Sequence, residues 1–149
     1  MGLRTVQFLA VIFTALALVP GGAHFFVLLN KIDLDQAQYF SVQSIYRGWA
    51  LFGVVLFGAL FLNLAMAMML RDQRTAFWFA VAAFIGLATN LAIFFIWTYP
   101  ANVATNNWTT VPENWQALRA QWEYSHAANA LVMFASFCLV TLSVLTTRR

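Results

Sequence analysis

Six residues in the last quarter of the chain, Trp115, Arg119, Trp122, His126, Asn129 and Met133, follow one another by steps of four, three, four, three and four. On a helix turning about 100° per residue they fall within a sector of roughly 60–80°, so one face carries two indoles, a guanidinium, an imidazole and a carboxamide. Those types suit proton abstraction from a flat substrate. The imidazole is a general base, the guanidinium holds a developing oxyanion, and the indoles stack on a ring. Glu123, at the edge of the same face, is four residues after Arg119 and three before His126 and can pair with either. A second imidazole, His24, lies far away in sequence, after the pair Gly21 and Gly22.

The surrounding composition decides what kind of element must position these groups. Of 149 residues, 62% are hydrophobic and only 9% charged, which belongs to a membrane-embedded protein and not to a water-soluble core. A formal charge of +3 is too scattered along the chain for nucleic acid, and most basic residues fall where helix ends meet lipid headgroups. The partners expected are therefore the lipid bilayer, a lipophilic small molecule, and a homo-oligomer or larger membrane complex. A single cysteine, Cys138, excludes a disulfide within the chain.

The apolar runs predict four membrane spans at about 6–29, 49–70, 75–98 and 117–146, forming one domain over 1–149. Arg4, the run to Val19 and the small residues 21–23 imitate a signal peptide. The apolar run continues to Leu29, so a retained first span is expected. Pro20 with Gly21 and Gly22 predicts a kink and close helix approach just before His24. Asp33 with Gln36 reads as a capping box opening a short interfacial helix, whose Gln36, Tyr39, Gln43 and Tyr46 share a face at the headgroup boundary. Residues 99–114, which include Pro100 and Asn102, read as a loop. The fold class expected is an all-α integral membrane four-helix bundle with an interfacial helix between spans one and two. Arg4, Arg71, Arg74, Arg148 and Arg149 share one end of it, which places both termini in the cytoplasm, in a bacterial inner membrane.

With a rise of 1.5 Å per residue, His126 and Asn90 lie about 12 Å, and His24 roughly 8 Å, below the outward ends of their spans. Arg47, Trp97, Arg119, Trp122 and Glu123 would close the space above them, and Asn129 and Asn102 complete the candidate set. Ionisable groups at such depth face a bundle interior or wet cavity and make a functional site the default hypothesis. Two facing histidines also leave open a haem, metal or quinone site for electron transfer. A non-enzymatic accessory subunit fits the same apolar surface.

The segment containing Pro100 and Asn102, followed by Trp115, Arg119, Trp122 and His126 and preceded by the Gly21–Gly22 pair, resembles the anthrone-oxygenase-like family of small four-span membrane proteins. Many of its members carry an arginine where this chain has Asn129. The resemblance implies oxidation of an anthrone to an anthraquinone with molecular oxygen and without an obvious metal or flavin. In that scheme His126 is the base, oriented by Glu123. Arg119, with Arg47 or Asn90, holds the oxyanion, and Trp122 and Trp97 stack on the ring.

Overall fold

A computed structural model describes residues 2–148. The chain forms α1 (Leu3–Lys31), α2 (Gln36–Gln43), α3 (Phe52–Met69), α4 (Arg74–Ile93), a π-helical turn (Phe94–Thr98), α5 (Tyr99–Ala104) and α6 (Trp115–Leu145). Four helical stretches are long and apolar enough to cross a membrane: Leu3–Lys31, Trp49–Met69, Arg74–Ala104 and Trp115–Leu145. They make an all-α, multi-pass integral membrane bundle in which α1 and α4 each lie between α3 and α6.

The buried residues explain the pairing. In α1 they include Gln7, Ala10, Thr14, Ala17, His24, Leu28 and Lys31, a stripe alternating steps of three and four if Gly21 is counted. Helix α6 buries Trp122, Asn129, Met133, Ser136, Val140 and Ser143 on the same rhythm, and α4 buries Ala76, Ala80, Ala83, Leu87 and Asn90. A repeat averaging 3.5 residues keeps one seam facing its neighbours along a whole span. Many seam residues are alanine, glycine or serine, which lets backbones approach closely where lipid supplies no hydrophobic drive for helix association. A Cβ added to Gly21 would lie 3.3 Å from Ala130 Cα, so the expected close approach is made by Gly21; Gly22 meets nothing within 4 Å. Large apolar side chains such as Phe26 (81% exposed), Leu29 and Phe61 point outward, an arrangement that only a lipid surround makes favourable.

Three details depart from the sequence reading. The N-cap of α2 is Asp35, whose carboxylate accepts from Gln38 N at 2.8 Å; Asp33 lies in the preceding turn. Arg119 Nη1 donates to the Leu34 carbonyl at 2.7 Å, which holds that turn and moves the helix start two residues on. Second, α2 does not simply rest at a headgroup boundary: Tyr39 is fully buried and Gln43 nearly so. Third, the span starting at Arg74 continues to Ala104 and takes Pro100 and Asn102 with it. Proline supplies no N–H to the carbonyl four residues back, and the π turn immediately before it relaxes the hydrogen-bond ladder at that point.

Candidate functional site

The end of the bundle where α1 finishes and α6 begins gathers what the stripe on α6 promises and adds residues that it does not. His24 on α1 and His126 on α6 lie with ring centroids 4.0 Å apart and planes inclined by 31°. The Trp122 indole meets both rings edge-on, at 4.2 Å from His126 and 4.8 Å from His24. Tyr46 and Trp49, from the connection between α2 and α3, close on His24 at 4.3 and 5.5 Å. His24 is 4% exposed, and His126 is partly buried.

Beside this stack lies a buried ion pair. Lys31 Nζ is 2.8 Å from Glu123 Oε1, with side chains 4% and 0% exposed. The ammonium also donates to Gln43 Oε1 and to the Tyr46 hydroxyl, each at 3.3 Å, so all three of its N–H bonds are used. The Tyr39 hydroxyl donates to Glu123 Oε1 at 2.9 Å and accepts from Gln43 Nε2 at 2.7 Å. Lys31 Nζ further sits 4.6 Å from the Tyr46 ring centre and 4.7 Å from that of Trp122, the rings that also flank His24. Taking two charges out of water is costly, and an apolar pair of similar volume would serve stability as well. A buried pair of this kind next to two imidazoles therefore points to function. Burial, reinforced by the Glu123 carboxylate, pushes the Tyr39 phenol far above its ordinary range and that of Tyr46 up to about 12, so both stay neutral, Tyr39 donating to Glu123 and Tyr46 accepting from Lys31.

The rim is fixed by Asn102. Its side-chain oxygen accepts from the Trp122 indole at 2.8 Å and from the Trp108 indole at 3.2 Å. Trp108 is buried within a left-handed stretch, with φ values of 46°, 53° and 65° at Asn106, Asn107 and Trp108. That backbone is unfavourable for a bulky residue and is held by Trp108 N donating to Thr105 Oγ1 at 3.1 Å. The strained turn drops the Trp108 ring against Tyr39 and Trp122, at 5.1 and 5.8 Å.

Among the residues expected at the site, His24, His126, Trp122, Glu123 and Asn102 are brought together. Glu123 is paired with Lys31 and Tyr39, which leaves it no role in orienting His126 in this arrangement. Arg119 stacks on Trp115 and reaches Leu34, above the cluster, and Arg47 is exposed. Trp97 is 47% exposed on the lipid side, where its carbonyl accepts from Gln121 at 2.7 Å. Asn90 donates to the Asn129 carbonyl at 3.0 Å and ties α4 to α6 below the histidines. Sequence reasoning missed Lys31, Gln43 and Tyr39 as site residues. The signal was available: Lys31 follows His24 and Leu28 on one face, and Tyr39, Gln43 and Tyr46 already shared another.

Three buried polar atoms of this region, His24 Nδ1, Glu123 Oε2 and Asn129 Oδ1, have no hydrogen-bond partner among the described residues. All three are acceptors when the His24 proton sits on Nε2. The donor set does not fit a haem between the histidines, because the rings stack face towards face and do not point nitrogen-first at a common centre. Nor, among the described residues, do three or more His, Cys, Asp or Glu side chains converge as a metal site. Comparison with protein-family models, curated proteins and solved structures finds no match to this chain.

Proposed function

We propose that the protein is a membrane-embedded oxidoreductase that removes a proton from a flat, lipophilic phenol or anthrone and delivers the resulting anion to molecular oxygen. The observation that carries this reading is the set of unpartnered acceptors, His24 Nδ1, Glu123 Oε2 and Asn129 Oδ1, around a two-imidazole stack. Buried acceptors demand donors, and an acidic O–H or C–H on a fused-ring substrate is a donor that an apolar, aromatic site can admit. The likeness of the Trp115–His126 segment to anthrone-oxygenase-like proteins supports the same chemistry.

In this scheme His126, the more accessible imidazole, takes the first proton from the substrate methylene. The Lys31 ammonium, saturated by its own partners, stabilises the enolate through its field and not by direct contact. The carbanion forms a bond to oxygen; loss of the second carbon-bound hydrogen and cleavage of the O–O bond leave a carbonyl. Both hydrogens depart in one water molecule. The methylene loses four electrons and molecular oxygen gains four, so the reaction balances with no further reductant. Tyr39 and Gln43 act as positioning residues that hold Glu123 and Lys31 in register. The arginine-rich end of the bundle faces the cytoplasm of a bacterial cell, which turns the site outward.

The test is oxygen consumption by the detergent-purified protein with anthrone, followed by the appearance of anthraquinone absorbance. His126→Ala is expected to lower the rate by about 10²–10⁴-fold, the usual contribution of a general base. Full turnover by that variant would remove His126 from the reaction.

A further inference from the structure

At the opposite end of the bundle, α1 and α6 leave a groove of about 510 Å³ that the proposed chemistry does not use. Its rim carries Arg4 from the start of α1 and Arg148 from just beyond α6, and its walls include Phe8 and Val144. Between the two arginines, Gln7 Nε2 donates to Thr147 Oγ1 at 2.7 Å, and Gln7 is 7% exposed. Arg148 is tied down by its own backbone N–H, which donates to Gln73 Oε1 at 2.7 Å. Gly2, the N-cap of α1, has no side chain to accept the first backbone N–H groups of the helix, so the positive end of its dipole adds to the two guanidiniums.

We infer that this groove is a binding site for an anionic phospholipid, with the headgroup phosphate between Arg4 and Arg148 and an acyl chain along Phe8 and Val144. The chemistry of the two zones matches the two parts of such a lipid. Cationic and hydrogen-bonding groups lie at the level where α1 begins and α6 ends, and apolar side chains lie a turn deeper. Basic pockets between spans recognise acidic headgroups in this way, each arginine adding to the attraction. Because the arginines come from the first and last helices, the lipid clasps the ends of α1 and α6 together. A zwitterionic lipid offers the same chains but no net charge, so discrimination rests on the rim.

Native mass spectrometry of the full chain, released from nanodiscs of equimolar phosphatidylglycerol and phosphatidylcholine, tests the site. The wild-type protein is expected to retain phosphatidylglycerol preferentially. R4Q/R148Q should lose that preference by roughly 30-fold, R4K/R148K should keep most of it, and R71Q/R74Q, with the same charge change at the same end, should stay within about threefold. An equal loss in R71Q/R74Q would mean diffuse attraction and overturn the site, as would a wild-type protein without preference. Displacement of the retained lipid by millimolar glycerol 3-phosphate would also overturn it, since a soluble phosphate would then suffice. If R4Q/R148Q does not fold, R4Q and R148Q singly carry the comparison, each expected to lose about fivefold; no loss in either overturns the site.

Discussion

At the level of Ala59, Ala80 and Ala83 the helices meet through methyl groups with no accessible surface; at the level of Glu123 they part around an ion pair, two imidazoles and an indole. In the half nearer the chain termini the buried polar residues are uncharged and bond through their donors: Asn63 Nδ2 donates to Thr14 Oγ1 at 3.1 Å and to the Ala59 carbonyl at 2.9 Å, and Ser143 Oγ donates to the Ala76 carbonyl at 2.7 Å, while Asn63 Oδ1 is left without a partner among the described residues. The Asn63–Thr14 and Ser143–Ala76 bonds join helices, while the Asn63–Ala59 bond lies within α3. The half that holds the histidines instead buries opposite charges, covers them with α2 and leaves three acceptors unpaired around them, which does nothing for stability that leucines would not do better. Small residues hold the bundle together at one end so that costly groups can be kept in place at the other.

The largest effect should come from breaking the ion pair. Glu123→Leu strands a buried ammonium and the Tyr39 hydroxyl and should cost about 3–5 kcal/mol, read by denaturation in mixed micelles. The double variant Lys31→Met with Glu123→Leu should regain most of that stability; a double variant as weak as the single would show that the two charges do not depend on each other. In the half without the histidines, Gly86→Ala drives its new methyl into the Ser136 hydroxyl and should cost about 1–3 kcal/mol, mostly recovered by adding Ser136→Ala. Asn63→Leu should cost less, about 0.6–1.7 kcal/mol, the range for hydrogen bonds between spans.

The smallest effect concerns pH. Tyr46 has its phenol raised to about 12 from an ordinary value of 10.0, so the folded state holds its proton more tightly than the unfolded chain. The stabilisation is complete below the unfolded value and falls away as pH rises from about 10 through 12. A shallower decline over that window is expected for Tyr46→Phe, measured against wild type by the same denaturation. Identical slopes would place Tyr46 outside the buried network.

Much of this division is legible in the chain. The steps of four and three from Trp115 to Met133 continue through Ser136, Val140 and Ser143, and they mark the seam of α6 over its full length. His24 and His126 could be put at similar depth from helical rise alone. Lys31 could not be separated from an ordinary headgroup-level cation, because nothing local says that α2 folds back over it. That folding depends on Tyr39 reaching Glu123, 84 residues away. Pro100 misled in the opposite direction: proline reads as a helix end, while a π turn lets the span run on and delivers Asn102 to two indoles. Arg119 and Glu123 have i,i+4 spacing on one helix, yet each finds its partner on a distant segment, since tertiary contacts outweigh a helical pair worth a few tenths of a kcal/mol.

Oxygen uptake with anthrone, run side by side on the wild-type protein, His126→Gln and Asn63→Leu, tests most directly whether the proposed chemistry belongs to the half that holds the histidines. The expected result is turnover by the wild type, a fall of at least about 10²-fold in His126→Gln, and a rate within about twofold of wild type in Asn63→Leu. Wild-type uptake no faster than the detergent blank, or full activity in His126→Gln, would contradict the account.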